Sequence, residues 1–269
     1  MSEFKSDFVI ITALREPEFT QLEKVVTKGL DVHGKIDKIK EKERIYKGVV
    51  GDSKKQFQFY IAYQNMSGMV SAAILATEMI KCYKPKYIVM LGIAAGFKGD
   101  NMRPGSVLIA DFVANYQSGK VTNGGFQRDP VGYNIDNSLK NKLDANKKSI
   151  MDKINNEDEN DRGRKSELEA YIGPIVTGNQ IVASQEIMDG IKNSYRKVVG
   201  VEMEGFAIFQ AAAEANEPKP LPILIKSVCD FGNAKKNNKY QKLAAYNSAK
   251  FFLLFALKCL TPINRTTDI

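Results

Sequence analysis

Short apolar segments alternate with amphipathic segments along most of this 269-residue chain. The amphipathic segments have helical spacing and begin near Glu16, Gly68, Ser184, Gly205 and Asn238. Alternation of this kind predicts an α/β fold in which helices cover a largely parallel or mixed sheet. The predicted strands lie in the apolar segments 8–13, 44–63, 86–94, 106–111, 172–178, 198–204 and 223–229.

The segment 146–170 differs from the rest because it is dense in charge and has few large apolar side chains after Ile154. It predicts a helix that runs into a solvated connection, as a surface insertion without chemistry. The length of the chain suits one large α/β domain or two small ones. We expect a single domain over 1–269, with the insertion near 146–170.

Charge and cysteine usage narrow the classes of function. The chain has 39 basic and 31 acidic residues, a net charge of +8, with its lysines scattered rather than gathered into an arm. This suits an anionic partner or ligand and argues against nucleic-acid binding. Cys82, Cys229 and Cys259 lie far apart and His33 is the only histidine, which argues against a zinc site or a histidine-based triad.

Targeting signals are also absent from the sequence pattern. The N-terminal segment MSEFKSDF has no apolar signal core, and the apolar run 251–257 is too short to cross a bilayer. We therefore expect a cytoplasmic, reduced protein with no membrane partner.

Three acids stand where predicted strands turn into helices. Glu18 follows the first strand, Glu204 ends the segment 198–204, and Asp230 follows the segment 223–229. Ligands of α/β sheets sit at such carboxyl ends. For Glu18 and Asp230 a second interpretation stays open, in which each is a first-turn acid that complements a helix dipole.

The pair Glu202 and Glu204 lies inside an otherwise apolar run. Burial of two ionised carboxylates is costly unless hydrogen-bond donors are supplied. Because the neighbours of Glu204 predict burial, this side chain needs two or more donors. The vicinal diol of a ribose supplies two hydroxyls at a suitable spacing.

Several strings together carry a family resemblance. VEMEGFAIFQAA, SVCDFGNAKKN, MLGIAAGFKGDNMRPGSVLIAD and TALREPEF stand in an order and spacing that resemble the purine nucleoside phosphorylase and nucleosidase superfamily. The match is best to methylthioadenosine/S-adenosylhomocysteine nucleosidases and AMP-nucleosidase-like proteins, over residues 8–257. The resemblance implies a three-layer α/β/α sandwich around a mixed, partly parallel sheet, a homo-oligomer, and a purine nucleoside or nucleotide as the small-molecule partner. No cofactor or metal is expected, because two carboxylates and water suffice.

The resemblance also implies roles for individual residues. Glu18 is similar to the base that activates water, and Asp230 to the acid that protonates N7 of the purine. Met203 and Glu204 resemble the ribose-binding pair, with Glu204 on the 2′ and 3′ hydroxyls. Further positions expected to bind substrate are Glu202, Ala95, Ile181, Val182, Lys226 and Phe231.

N-glycosidic cleavage requires such a set of groups. The reaction passes through an oxocarbenium-like ribosyl cation while negative charge builds on the leaving purine. A carboxylic acid must give a proton to the purine, and an apolar wall such as Phe231 with Val228 favours its protonated form. On the other face, a carboxylate takes a proton from water and stabilises the cation.

The chain departs from the family pattern at several positions. The base is Glu18 only with a one-residue insertion, so Glu16 remains an alternative. Ile93 stands where nucleosidases often have a serine. Lys226 replaces a family arginine and lacks its bidentate fork. Hydrolysis is favoured over phosphorolysis, although Arg15 leaves the phosphorylase alternative open, and a binding module without turnover is the alternative of another class.

The loop 233–240 is relevant to which chemical group the substrate carries at its 5′ position. Lys235, Lys236 and Lys239 lie next to the start of the last predicted helix. One interpretation is a solvated basic turn. The other is that these lysines and the helix N-terminus receive a 5′-phosphate, which would make the substrate a nucleotide.

Overall fold

A ten-stranded mixed sheet forms the centre of the computed structural model, which describes residues 3–99, 101–129, 131–162, 167–233 and 238–264. The strands are β1 Ser6–Thr12, β2 His33–Lys38, β3 Ile45–Gly51, β4 Gln56–Tyr63, β5 Pro85–Gly96, β6 Val107–Asn115, β7 Gly119–Thr122, β8 Gly125–Arg128, β9 Gly132–Asn134, β10 Ala170–Thr177, β11 Gly200–Glu202 and β12 Leu221–Asp230. Their order in the sheet is β11-β10-β6-β12-β5-β1-β4-β3-β2, with β9 beside β6. A separate hairpin joins β7 and β8.

Helices cover the two faces of the sheet, and a helical turn, Arg15–Phe19, follows β1. The helices are α1 Thr20–Lys28, α2 Met69–Tyr83, α3 Asn137–Arg162, α4 Gln185–Ser194, α5 Gly205–Ala213 and α6 Gln241–Cys259. Side chains of α1, α3 and α6 belong to one apolar core, and those of α2 and α5 to a second core on the opposite face. Along β1, Phe8 and Ile10 enter the first core while Val9 and Ile11 enter the second, because successive side chains of a strand alternate.

The predicted fold class is confirmed: the sheet is mixed, largely parallel at its centre, and covered by helices on both faces. The predicted strand 198–204 is shorter than expected, since β11 ends at Glu202. Helix α3 begins at Asn137, and its residues Ile150, Met151 and Ile154 are buried in the first core. The first part of the charged segment therefore packs against the domain.

The sheet closes on itself near the functional residues. Strand β11 pairs in parallel with β10 and also, in antiparallel register, with β5, where Gly200 faces Gly96 and Val201 faces Ala95. This brings the carboxyl ends of β1, β5, β11 and β12 together at one edge. No helix in the described part of the chain is long and apolar enough to span a membrane.

Candidate active site

A cavity of about 250 Å³ opens at this edge of the sheet. Acidic side chains reach it from the first helical turn and from the ends of β11 and β12. Among the described residues, no group of three or more histidine, cysteine, aspartate or glutamate side chains is arranged to hold a metal ion. The lining residues are Ala13, Leu14, Glu18, Ser67, Ile93, Ala94, Ala95, Gln180, Ile181, Val182, Val201, Glu202, Met203, Glu204, Cys229, Asp230, Asn238 and Gln241.

Glu18 is held in one orientation by two backbone donors. Its carboxylate accepts hydrogen bonds from the N–H of Leu14 at 2.8 Å and of Ile93 at 2.9 Å, and the side chain is buried. Burial raises the pKa of Glu18, although the charge of Lys226 and the backbone donors act in the opposite direction. By contrast, Glu16 is exposed and does not line the cavity.

The Glu18 carboxylate fits only because its neighbour has no side chain. Gly92 has φ of +150°, and a Cβ built there would lie 2.0 Å from Glu18 Oε1. This close approach brings the carboxylate within reach of the Ile93 N–H. Glycine is the residue that tolerates both the conformation and the contact.

Glu202 finds its donors inside the protein. Its oxygens accept hydrogen bonds from Thr177 Oγ1 at 2.5 Å and from the backbone N–H groups of Glu204 at 3.0 Å and Gly205 at 2.9 Å. These contacts satisfy the N-terminal end of α5, where a negative charge is favourable. Glu202 was predicted to bind substrate, and it does line the cavity; in the structure its hydrogen-bond donors are Thr177 and the end of the helix.

Glu204 faces the cavity and has fewer protein donors. It accepts from the N–H of Gly68 at 2.8 Å, and Lys226 Nζ lies 3.4 Å from its Oε2. Burial raises the pKa of Glu204 to about 7; Lys226 opposes this rise, whereas Glu202 and Glu18 add to it. The ionised form is therefore available near neutral pH to accept further hydrogen bonds.

Lys226 lies beneath the acids instead of lining the cavity. Its side chain is completely buried in β12, with Nζ 3.4 Å from both Glu202 Oε2 and Glu204 Oε2. Burial alone would lower the pKa of Lys226, but the charges of Glu204, Glu202 and Glu18 together raise it. Lys226 was predicted to contact substrate; in the structure it does not line the cavity and instead contacts two carboxylates that do.

Asp230 projects into the cavity from the last residue of β12. Its Oδ1 accepts from the N–H of Gly232 at 2.8 Å, and the thiol of Cys229 lies 3.2 Å from Oδ2. Phe231, which the sequence analysis expected beside the purine, does not line the cavity and packs on the second core. The described residues that line the cavity near Asp230 include Cys229, Ala94 and Ala95.

The remaining predicted substrate-binding positions all line the cavity. Ala95, Val182 and Met203 line the cavity, as does Ile181, whose side chain is 69% exposed. Lining residues to which the sequence assigned no role in the site include Leu14, Ser67, Gln180, Cys229, Asn238 and Gln241. Of these, Cys229 ends the predicted strand 223–229, and Asn238 lies at the start of the last predicted helix. These positions at element ends were the signal in the sequence that could have identified both residues.

The basic loop is only partly described. Lys235 and Lys236 lie outside the described residues. Lys239 lines a different groove, between α1, α3 and α6, and Arg15 is exposed and does not line the cavity. Within the described chain, the residues that α6 and the turn before it contribute to the cavity are the amides Asn238 and Gln241.

Comparison with known proteins identifies the family. The sequence profile described as Phosphorylase superfamily matches residues 7–259, which is most of the chain. The chain belongs to the phosphorylase superfamily. The superfamily membership predicted from the sequence strings is thereby confirmed.

Individual relatives are similar over about two thirds of the chain. The uncharacterized y4jS protein of Sinorhizobium fredii is 33% identical over 189 residues, covering 68% of this chain but only 45% of that relative. A 5′-methylthioadenosine/S-adenosylhomocysteine nucleosidase of Maridesulfovibrio salexigens is 28% identical, covering 69% of this chain and 76% of the relative. A nucleosidase of the same name from Staphylococcus aureus is 26% identical, with shares of 74% and 78%.

Solved structures share the fold. The 5′-methylthioadenosine/S-adenosylhomocysteine nucleosidase of Neisseria meningitidis, in complex with methylthio-immucillin-A, aligns with a TM-score of 0.69 at 22% identity, covering 93% of this chain and 98% of that chain. The S-adenosylhomocysteine nucleosidase of Streptococcus pyogenes, in complex with 5-methylthiotubericidin, aligns with a TM-score of 0.70 at 20% identity, covering 96% and 99%. At identities of 22% and 20%, these alignments show a shared fold and nothing further about this chain.

Proposed function

We propose that the chain is a nucleosidase that hydrolyses the N-glycosidic bond of a purine nucleoside or nucleotide. The observation that carries the proposal is the convergence of Glu18, Glu204 and Asp230 on one cavity of about 250 Å³. The relatives from Maridesulfovibrio salexigens and Staphylococcus aureus, which bear the name 5′-methylthioadenosine/S-adenosylhomocysteine nucleosidase, support the same reaction class.

In the proposed reaction, each acid has a separate task. Glu204 accepts hydrogen bonds from the 2′ and 3′ hydroxyls, and the apolar residues Ile181, Val182 and Ala95 bound the base. As the C1′–N9 bond breaks, its electron pair moves onto the purine, and Asp230 delivers a proton to N7. Glu18 takes a proton from water, whose oxygen bonds to C1′. The products are the free base and a ribosyl product that carries the new hydroxyl.

The charge of the cavity favours water over phosphate as the nucleophile. Among the described lining residues there are four carboxylates and no lysine or arginine. The buried cation, Lys226, is engaged by Glu202 and Glu204 and offers no free fork to an oxyanion. A phosphate dianion would therefore meet like charges without a compensating donor. Retention of both Glu18 and Asp230 speaks against a binding module without turnover.

The proposal includes assembly of the chain into a homo-oligomer. Met66, Val70 and Ile74 are spaced four residues apart around the start of α2 and are 73%, 72% and 66% exposed. This apolar stripe adjoins Ser67 and Gly68, which contribute to the site, and Ile181 is exposed at the same cavity. Contiguous exposed apolar side chains mark interaction surfaces, and a second copy of the chain is the proposed occupant. Val70→Asp should lower the mass measured by light scattering to that of a monomer, and an unchanged mass would contradict this part.

The proposal also includes a cytoplasmic location and a single domain. Cys82, Cys229 and Cys259 are all free thiols, as expected in a reducing compartment. The two largest apolar cores pack on opposite faces of the same sheet, which supports one domain over the described residues.

Release of free base from a panel of substrates tests the reaction. The panel comprises adenosine, inosine, methylthioadenosine, S-adenosylhomocysteine, AMP and ATP, each with and without inorganic phosphate, followed by chromatography. Base release without phosphate is expected, together with its loss in Asp230→Asn, where nucleoside binding stays within about tenfold. Release that requires phosphate would overturn hydrolysis, and binding without release would favour a sensor.

A further inference from the structure

Cys229 is a second side chain that the carboxyl end of β12 contributes to the cavity. Its thiol is buried, lines the cavity, and lies within hydrogen-bond distance of two acceptors: Asp230 Oδ2 at 3.2 Å and the carbonyl oxygen of Ala94 at 3.4 Å. The N–H of Gly232 donates to the other carboxyl oxygen, Oδ1, at 2.8 Å. Contacts on both oxygens restrict rotation of the carboxyl group.

A register shift in the strand brings the thiol and the carboxyl group to the same side. Consecutive side chains in a regular strand point to opposite faces. In the pairing of β12 with β5, Val228 faces Ala94 and Asp230 faces Ala95, so Cys229 is an extra residue in β12. Bulges of this kind re-aim side chains beside active sites. Both Cys229 and Asp230 consequently line the cavity.

We propose that Cys229 is a positioning residue that aims the carboxyl group of Asp230 at the purine. The proposal rests on the proposed function, in which Asp230 gives a proton to N7. Proton transfer requires alignment of donor and acceptor within hydrogen-bond distance. Because a thiol is a weak donor, its contribution to the rate is modest, and a hydroxyl in its place preserves the contact.

Three variants measure the effect on turnover. In Cys229→Ala, kcat should fall about tenfold while KM stays within about twofold, because substrate contacts remain and alignment of the acid is lost. Cys229→Ser should recover kcat to within about threefold of the parent. Cys82→Ala, which changes an exposed thiol of α2, is the control and should match the parent. Parent kcat in Cys229→Ala, or an equal loss in the alanine and serine variants, would overturn the proposal.

A labelling experiment tests the contact without relying on turnover. The thiolate is the form that reacts with iodoacetamide, and a hydrogen bond donated by the thiol to Asp230 disfavours it. Asp230→Asn replaces that acceptor by an amide that can donate to the thiolate, with little change of volume, so alkylation of Cys229, followed by mass spectrometry, should accelerate about tenfold at fixed pH. The rate at Cys82 should not change, and adenine should protect Cys229 in both proteins because the thiol lines the cavity.

The two experiments distinguish failure of the positioning role of Cys229 from failure of the proposed function. An unchanged alkylation rate at Cys229 would overturn the positioning role even if base is released from a purine nucleoside. If labelling accelerates as expected but no nucleoside is cleaved, the contact between Cys229 and Asp230 stands and the proposed function fails.

Discussion

Lys226 Nζ lies 3.4 Å from Glu204 Oε2 in the floor of the candidate site, where the lysine side chain is completely buried. The same ammonium group is 3.4 Å from Glu202 Oε2, and its charge also acts on Glu18. One buried cation therefore compensates three buried carboxylates. Without it, the interior would contain negative charges whose removal from water is not offset.

Replacement of Lys226 by methionine should destabilise the protein strongly. Methionine fills a similar volume but leaves Glu202 and Glu204 buried without a counter-charge, which costs about 3–5 kcal/mol in comparable buried pairs. The free energy of unfolding, from urea denaturation at pH 7.5, measures the effect. Lys153→Met is the matched control, because its partner Asp31 at 2.7 Å is exposed and such pairs contribute about 0–1 kcal/mol. Equal losses in the two variants would contradict the central role of Lys226.

Nucleoside affinity should fall as the pH drops through the pKa of Glu204. Burial raises this pKa to about 7, and the ionised carboxylate is the form that accepts hydrogen bonds from both ribose hydroxyls. Affinity should be constant above that pH and decrease about tenfold per pH unit below it. Calorimetry in the Asp230→Asn background avoids turnover during the measurement.

The matched variant for this pH dependence is Glu204→Gln in the same background. Its affinity at pH 8 should be about tenfold or more below that of the parent background, because hydrogen bonds to a charged acceptor are lost. Its affinity should also depend much less on pH between 6 and 8, because the amide does not titrate there. If both proteins show the same pH dependence, a group other than Glu204 controls ribose binding.

Gly92→Ala should disable the proposed base without unfolding the domain. The added Cβ would stand 2.0 Å from Glu18 Oε1 and displace the carboxylate from the Ile93 N–H. Misplacement of a catalytic group by about 1 Å costs roughly 10²-fold, so kcat/KM for base release should fall by that factor. Gly99→Ala is the control, because its φ of +127° gives similar backbone strain while its Cβ meets nothing within 4 Å. Comparable activity in the two variants would argue against this role for Glu18.

Much of the fold followed from hydrophobic patterning, because central strands are buried on both faces and read as continuous apolar runs. β1, β5 and β12 were recognisable for this reason. Strand β2, His33–Lys38, was missed because an edge strand with mostly exposed polar side chains has no such run. The β7–β8 hairpin was also missed, although Asn123-Gly124 between its strands is a recognised hairpin signal.

The candidate site could be predicted as a set of positions more readily than as a set of roles. Strand ends gave Glu18, Glu204 and Asp230, since chain order and apolar runs locate those ends. The sequence could not separate Glu202 from Glu204, because the donors of Glu202 include Thr177, which lies 25 residues away and meets it only through β10–β11 pairing. Lys226 was predicted to contact substrate, and nothing in the apolar strand around it indicated which carboxylates it pairs with.

Glu202 and Glu204 should respond in opposite ways to the same substitution. Glu202→Gln weakens the acceptor for the α5 N-terminus, Thr177 and Lys226, so the free energy of unfolding should fall by roughly 2–4 kcal/mol while KM changes less than about threefold.

Glu204→Gln should produce the reverse pattern. Burial already raises the pKa of Glu204, so a neutral amide at this position removes a charge that folding disfavours, and the free energy of unfolding at pH 7.5 should stay the same or rise. KM, by contrast, should rise at least about tenfold, because the ribose hydroxyls lose a charged acceptor. Parallel urea denaturation and steady-state kinetics compare the two variants. A larger KM effect in Glu202→Gln than in Glu204→Gln would reverse the assignment, because it would mean that the carboxylate engaged by the helix end is also the one that holds the ribose.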